Sequence, residues 1–196
     1  MILKGVWMLR FVRIIMLSLP AFSAMAAHAG EVANLAGEAE TLVAKGDGPA
    51  AYDKMRQSLA AVSDSIPFDI RKAFFVSQKP LMFGSYERVA SNEFPKGSSL
   101  ITYAEPIGLA WIANGSGVSS AFTVDFELRN PGGELLAEQK AFGKFKIESR
   151  EPLFEIFTPL TLDVSAVPAG DYVLKYVFND TNSKKSTTVE QRFKLK

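Results

Sequence analysis

Apolar residues between Glu31 and Phe75 recur at the spacing of α-helices. The first stripe falls at i, i+3, i+4 and i+7 and comprises Val32, Leu35, Ala36, Ala39, Leu42 and Val43. The second stripe has the same period and comprises Tyr52, Met55, Leu59 and Val62. Glycines and a proline in Lys45–Pro49 separate the two predicted helices. The stripes are not fully buried by a helical hairpin alone, so we expect the hairpin to pack on the rest of the chain or on a partner.

A third, short helix is predicted for Phe68–Val76, after the break at Ile66-Pro67. From Gly84 onward the apolar period changes to two. In Phe122–Arg129 the apolar side chains alternate with polar ones, which predicts an antiparallel strand with one solvated face. The turn Asn130–Gly133 follows this strand.

The same alternation predicts several further strands, connected by turn signals. They are Ser99–Glu105, Ile107–Ala113, Glu134–Ala141, Leu160–Val164, Tyr172–Phe178 and Ser186–Leu195. Asn114-Gly115 is a strong turn signal, and Asp180–Ser183 connects the last two strands as a closing hairpin.

Seven or eight short strands, spread over about 110 residues, predict a β-sandwich of the Ig-like or Fn3-like type, and a small barrel fits the same pattern. The predicted class is therefore α+β, with a helical segment at residues 30–78 packed on an antiparallel sandwich domain at residues 82–196. Tyr172, close after Pro168, is a candidate for the tyrosine whose hydroxyl bonds back to the backbone where the chain crosses between sheets. An ordinary core aromatic is the alternative.

The first 29 residues have the pattern of a secretory signal peptide. Lys4, Arg10 and Arg13 accompany the short apolar run Ile14–Phe22, and an A-x-A pattern follows. A retained membrane anchor is the alternative, although Arg13 and Pro20 interrupt a stretch that is shorter than the ~20 apolar residues of a spanning helix. Cleavage predicts a periplasmic or secreted protein with no integral membrane span.

Composition excludes several classes of function. Removal of residues 1–29 lowers Lys+Arg from 22 to 19 against 21 Asp+Glu, and the mature chain shows no basic patch for nucleic acid. It also lacks cysteine and, because His28 is the single histidine, it lacks histidine. Catalysis by Ser-His-Asp or Cys-His groups and metal sites built on imidazole or thiolate are excluded. We expect no cofactor and no metal.

Four charged residues are candidates for a polar cluster that binds a ligand or partner: Arg88, Glu105, Asp125 and Lys185. The alternative is a solvated sheet face with cross-strand ion pairs, each contributing about 0.2–1 kcal/mol. A carboxylate pair about 5–10 Å apart would permit glycan hydrolysis. Asp180–Asn182 could offer oxygens to calcium, but an Asx-type turn explains the same residues.

The segment Leu153–Phe157 crowds apolar residues onto both faces of a predicted strand. Such a strand is either covered on both sides, with the N-terminal helices as the second cover, or it borders a binding groove. In the second case a partner peptide could bind at an exposed sheet edge.

Three stretches carry a resemblance to a known group: FGSYERVASNEFPKGSSLITYAEPIGLAW, FTVDFELRNPGGELL and VPAGDYVLKYVFNDTNSKKSTTVEQRFKL. The matching residues are Gly84, Tyr86, Arg88 (one position earlier than in the group's pattern), Tyr103, Glu105, Pro106, Gly108, Asp180, Ser183 and Lys185. The chain resembles uncharacterised secreted proteobacterial proteins with a helical N-terminal segment and a C-terminal Ig-like β-sandwich domain. The resemblance implies this fold and export, and it brings no activity.

We therefore expect an exported, non-enzymatic binding or assembly module of the cell envelope, whose partner is another envelope protein or a peptide. A hydrolase that uses carboxylates alone and a carrier of an apolar ligand are the alternatives. An enzyme needs a cleft with convergent polar groups, a carrier needs an enclosed apolar pocket, and an interaction module needs an exposed apolar patch or a free strand edge.

Overall fold

A computed structural model describes residues 21–196, and for residues 21–29 it describes the backbone alone. The predicted signal peptide, residues 1–29, thus lies largely outside the described residues and stays a prediction. Within the described part, the chain forms two helices, α1 (Ala21–Ala44) and α2 (Gly48–Ser65), followed by a β-rich region. The α+β class is confirmed. None of the helices described is long and apolar enough to cross a membrane.

The break between α1 and α2 lies where the glycines and Pro49 predict it. The side chain of Asp47 caps α2 by accepting a hydrogen bond of 3.1 Å from the Ala50 N–H. Proline in the first turn costs no intrahelical hydrogen bond there. α1 packs antiparallel on α2 through small side chains, with Ala39 and Ala51 both buried.

Nine strands follow within the described residues. They are β1 (Asp69–Phe75), β2 (Glu93–Phe94), β3 (Ser99–Ile107), β4 (Ile112–Asn114), β5 (Gly117–Arg129), β6 (Leu135–Ser149), β7 (Thr158–Asp163), β8 (Gly170–Asp180) and β9 (Ser186–Leu195). A three-stranded sheet has the order β1-β3-β7, and a six-stranded sheet has the order β2-β9-β8-β5-β4, with β6 paired to the other edge of β5. All pairings are antiparallel except β2 with β9.

The predicted third helix at Phe68–Val76 is wrong, because this segment contains strand β1. β1 pairs with β3, with Asp69 opposite Ile107 and Phe75 opposite Thr102. The apolar spacing of Ile70, Phe74 and Phe75 suits a helix, yet pairing with β3 satisfies the backbone and places Phe75 in the core. The helical part therefore ends at Ser65 rather than at residue 78.

Two other strand predictions need correction. Leu153–Phe157 lies outside the strands, and β7 begins only at Thr158. The predicted strand Ile107–Ala113 is interrupted, because Gly108 takes a φ of 65° and the chain returns to a strand at Ile112. The turn at Asn114-Gly115 is confirmed, with Asn114 paired to Gly117.

The closing hairpin is confirmed as β8 and β9, with Tyr172 opposite Phe193. The Tyr172 hydroxyl donates a hydrogen bond of 2.7 Å to the carbonyl oxygen of Pro168, four residues upstream, as predicted for a corner tyrosine. This bond fixes the entry into β8.

One hydrophobic core receives side chains from both sheets. Leu100, Ala104 and Leu160 contribute to it from the smaller sheet, and Val124 and Tyr176 contribute from the larger one. A buried hydrogen bond of 2.8 Å joins the Thr102 hydroxyl to the Gln191 side chain across the sheets. The buried members of this core begin at Phe68, so the helical hairpin lies outside it.

Candidate functional site

The apolar stripe of α2 remains largely uncovered. Tyr52 is 65%, Met55 49% and Leu59 46% exposed. α1 covers a different face of α2, where the Ser58 hydroxyl donates to the carbonyl oxygen of Val32 at 3.3 Å. Small residues on that face let the two helices approach closely, and the larger apolar side chains stay at the edge of this contact. Three adjacent exposed apolar side chains on one helix are unusual for a surface with no partner.

The segment that precedes β7 faces this stripe and forms a groove with it. Leu153 and Phe154 provide the opposite wall, and the groove has a volume of about 660 Å3. The Arg56 guanidinium lies 5.7 Å from the centre of the Phe154 ring and pairs with Glu151 at 3.2 Å. These contacts join the segment to α2 while leaving the apolar walls open.

The groove continues toward the end of α2 as a smaller cavity of about 340 Å3. Its walls come from the end of α2 and Ile66, from β1, from the chain between β1 and β2, from the end of β3 with the loop after it, and from the segment before β7. They include Val62, Phe83, Leu109, Trp111 and Ile156. Gly108 lies against the Pro67 carbonyl, where a side chain would collide with the backbone. The close approach of these two backbones shapes the inner cavity.

Each part of the groove carries one arginine. Arg56 lines the outer part, and the neighbouring Tyr52 side chain and Glu151 carboxylate raise its pKa above the ordinary value. Arg71 lines the inner part, where its guanidinium pairs with Glu105 and lies 5.8 Å from the centre of the Phe83 ring. The groove is thus a mainly apolar surface with permanent cations at its margins, a combination suited to binding.

The predicted site residue Glu105 is buried in β3. Its carboxylate accepts a hydrogen bond of 2.7 Å from the Tyr103 hydroxyl, pairs with Arg71, and lies 3.6 Å from the Lys72 ammonium. Burial raises the pKa of Tyr103 to about 12, and the hydrogen bond to Glu105 acts in the same direction. Glu105 is therefore an ion-paired anchor between β1 and β3, rather than a free carboxylate.

The predicted site residue Asp125 lies on β5 and binds β6. It accepts hydrogen bonds from the Ala141 N–H at 2.7 Å and from Lys140 at 3.2 Å. Burial disfavours its charged form, but these donors outweigh burial and hold the pKa of Asp125 below its ordinary value. Ala141 has a φ of 49°, and the register of β5 with β6 shifts between Val124 and Phe126. Asp125 thus stabilises an irregularity in the sheet.

The remaining two candidates lie outside the strands that carry Glu105 and Asp125. The Arg88 guanidinium lies 4.3 Å from the centre of the Phe74 ring beside β1, and Lys185 is exposed next to the turn between β8 and β9. The four candidates share no hydrogen bond or ion pair in the described residues. They do not form one cluster.

The matching motif residues converge around Tyr103 instead. The Gly84 N–H donates to the Tyr103 hydroxyl at 3.0 Å, and the Tyr86 and Tyr103 rings lie 4.6 Å apart between centres. Glu105 accepts from the same hydroxyl. The motif thus fastens the segment before β2 onto β3.

The motif around Asp180 is likewise an architectural joint. The Asp180 carboxylate accepts from the Asn182 N–H at 2.9 Å, which confirms the Asx-type turn, and from the Ala110 N–H at 2.9 Å. It thereby connects the β8–β9 turn to the chain before β4. In the described residues, no three acidic side chains are grouped closely enough to hold a metal.

Sequence analysis identified the groove residues and left two interpretations open. The period of the α2 stripe and the apolar crowding at Leu153–Phe157 are both visible in the sequence, and they allow either burial of one against the other or a binding groove. The signal that favours an open groove is the second α2 face, where Ala51 and Ser58 permit the close packing of α1. No pattern in the sequence marks Arg56 or Arg71, which lie at the margins of the groove, as functional residues. In comparisons with known proteins, no family model matches the chain and no curated protein matches it.

Proposed function

We propose that this protein is an exported, non-enzymatic binding module of the periplasm or cell exterior, which engages an envelope partner through the groove between α2 and Leu153–Phe154. The proposal includes an Ig-like sandwich for the β region, supported by the core shared between two mainly antiparallel sheets and by the corner bond of Tyr172. The resemblance to secreted proteobacterial proteins is part of the same proposal.

The observation that carries this proposal is the exposure of Tyr52, Met55 and Leu59 on one face of a helix. Burying such side chains against a partner is favourable by roughly 25 cal/mol per Å2 of apolar surface removed from water. The groove is long and open, so it suits the apolar face of a partner segment better than a small molecule that must be enclosed. Arg56 and Arg71 would then contact polar groups at the rim of that segment.

The smaller inner cavity supports a second candidate, a carrier of an apolar ligand. Its volume of about 340 Å3 falls in the lower part of the range of small-molecule sites, about 300–1,000 Å3. In this case an acyl chain or a similar group would enter past Leu59 and lie against Trp111 and Ile156.

In-cell photo-crosslinking distinguishes the two candidates. A photoreactive residue at position 59 should form an adduct with a protein partner, and Tyr52→Ser at the other end of the groove should weaken it. The matched control places the same residue at position 136, because Leu136 is 46% exposed on β6, as exposed as Leu59. A lipid-sized adduct at position 59 would favour the carrier. Equal adducts at both positions, or none at position 59, would contradict the groove proposal.

A further inference from the structure

A second exposed apolar feature lies far from the α2 stripe in sequence, in the segment between β1 and β2. Its two arms are joined by the Val76–Arg88 bridge and by a hydrogen bond of 2.9 Å from the Ser77 N–H to the Glu87 carbonyl. We call residues 76–88 the tip hairpin. Leu81 is 90% and Met82 66% exposed at its end, where two adjacent large apolar side chains face water.

The tip hairpin is held firmly although its end is exposed. Pro80 is buried, and the Ser85 N–H closes the turn on the Met82 carbonyl at 3.2 Å. Gly84 supplies the φ of 73° that this turn needs and donates its N–H to the Tyr103 hydroxyl. The Tyr86 ring packs edge-on against Phe74, with 4.8 Å between the ring centres. Leu81 and Met82 are therefore presented by a fixed support.

The surroundings of the tip are positively charged. Four cations are on or beside the hairpin, namely Arg71, Lys72, Lys79 and Arg88. Three acids lie near them: Glu105 is buried between Arg71 and Lys72, Glu87 accepts from the Ser77 hydroxyl at 2.9 Å, and Glu155 lines the inner cavity together with Arg71. Four cations against three acids leave this surface with a small net positive charge.

We propose that the tip hairpin is a peripheral membrane contact for an anionic bilayer surface. Leu81 and Met82 enter the boundary between headgroups and acyl chains, while the four surrounding cations contact lipid phosphates. Apolar insertion and attraction to anionic lipid together determine the strength of such binding, and neither alone holds a protein at the surface for long. This role goes beyond the groove proposal, since it depends on Leu81 and Met82 and on another ligand, although Arg71 borders both surfaces.

The first test measures co-sedimentation of the full chain with vesicles. Vesicles of phosphatidylglycerol with phosphatidylethanolamine should bind the protein, and phosphatidylcholine vesicles should bind it far less. Raising the salt concentration should weaken the binding, because it screens attraction between exposed charges. The double substitution Leu81→Ser with Met82→Ser should lower affinity about tenfold. The matched control, Leu135→Ser with Leu136→Ser, removes two adjacent exposed leucines of β6 and should change affinity by less than about twofold.

A second measurement reports whether the tip hairpin itself enters the bilayer, independently of any vesicle binding by the N-terminal segment. The chain has no cysteine, so Leu81→Cys and Leu136→Cys each give one labelling site for an environment-sensitive dye. A blue shift on anionic vesicles at position 81, absent at position 136, is expected. Equal shifts at the two positions, no shift at position 81, or unchanged binding by the Leu81/Met82 variant would overturn the proposal. Leu59→Ser should leave vesicle binding intact, so failure of the groove proposal would not count against this one.

Discussion

The hydroxyl of Tyr172 fixes the start of the closing hairpin through one hydrogen bond. The Tyr172 ring stacks on Phe193, with 5.5 Å between centres, while its hydroxyl binds the Pro168 carbonyl at 2.7 Å. The ring therefore fills the core, and the hydroxyl satisfies a backbone acceptor in the loop before β8.

Tyr172→Phe keeps the ring and removes this hydrogen bond, so we expect it to lower the free energy of unfolding by about 1 kcal/mol. Urea unfolding followed by fluorescence measures the change. Tyr52→Phe is the control, since Tyr52 is exposed and its substitution should stay within about 0.5 kcal/mol of the parent. Equal stabilities of Tyr172→Phe and the parent would reduce Tyr172 to an ordinary core ring.

The phenol of Tyr103 makes stability depend on alkaline pH. Its pKa rises from the ordinary 10.0 to about 12 in the folded protein, chiefly through burial. The unfolded chain therefore loses this proton first, and the stability it contributes, fully present below pH 10, is lost as pH rises toward about 12. Burial raises the pKa of Tyr176 as well, which acts in the same direction.

We expect Tyr103→Phe to show a shallower loss of stability than the parent between pH 10 and 12. Denaturant titrations at fixed pH steps across this range measure the slope. A phenylalanine variant with the same slope as the parent would show that Tyr103 ionises equally in the folded and unfolded chains.

At the scale of elements, the junction between α2 and β3 depends on one glycine. Gly108 combines a φ of 65° with contact against the Pro67 backbone. This contact places the link between α2 and β1 against the loop after β3, and so helps to shape the inner part of the groove.

Gly108→Ala should lower the free energy of unfolding by at least about 2 kcal/mol, because it adds a collision to a left-handed backbone that costs roughly 1–2 kcal/mol by itself. Gly115→Ala is the matched control, since Gly115 has a φ of 59° but open space around it. Thermal melts of both variants separate the two effects. Equal stabilities of the two alanine variants would show that the contact of Gly108 with Pro67 does not affect the free energy of unfolding.

The strands that the sequence predicted well are those whose alternation is complete. In β5, β7, β8 and β9 one set of alternate residues enters the core, and this pattern survives in any sheet arrangement. β1 was missed because Ala73, Phe74 and Phe75 are all at least partly buried, which erases the period of two. Its partner β3 is distant in sequence, and local spacing contains no information about such pairing.

At the scale of the whole molecule, the four predicted site residues do not line the proposed groove. Glu105 and Asp125 are charged residues on strands, and charge alone does not tell a binding residue from one that joins two strands. The groove arises from tertiary structure, since it needs α1 on one face of α2 and Leu153–Phe154 beside another. Both apolar stretches are visible in the sequence, but the sequence does not show which of their faces stays exposed to solvent.

The most direct test of the groove is the accessibility of position 59, before and after the protein meets its partner. Because the chain has no cysteine, Leu59→Cys offers one thiol, and Leu136→Cys offers an equally exposed control on β6. We expect Leu59→Cys to react rapidly with a polar thiol reagent in the purified protein and at least about tenfold more slowly in the intact envelope, where the partner covers the apolar face. The control should react alike in both. Rapid reaction of Leu59→Cys in both settings, or slow reaction in the purified protein, would contradict an open groove that binds an envelope partner.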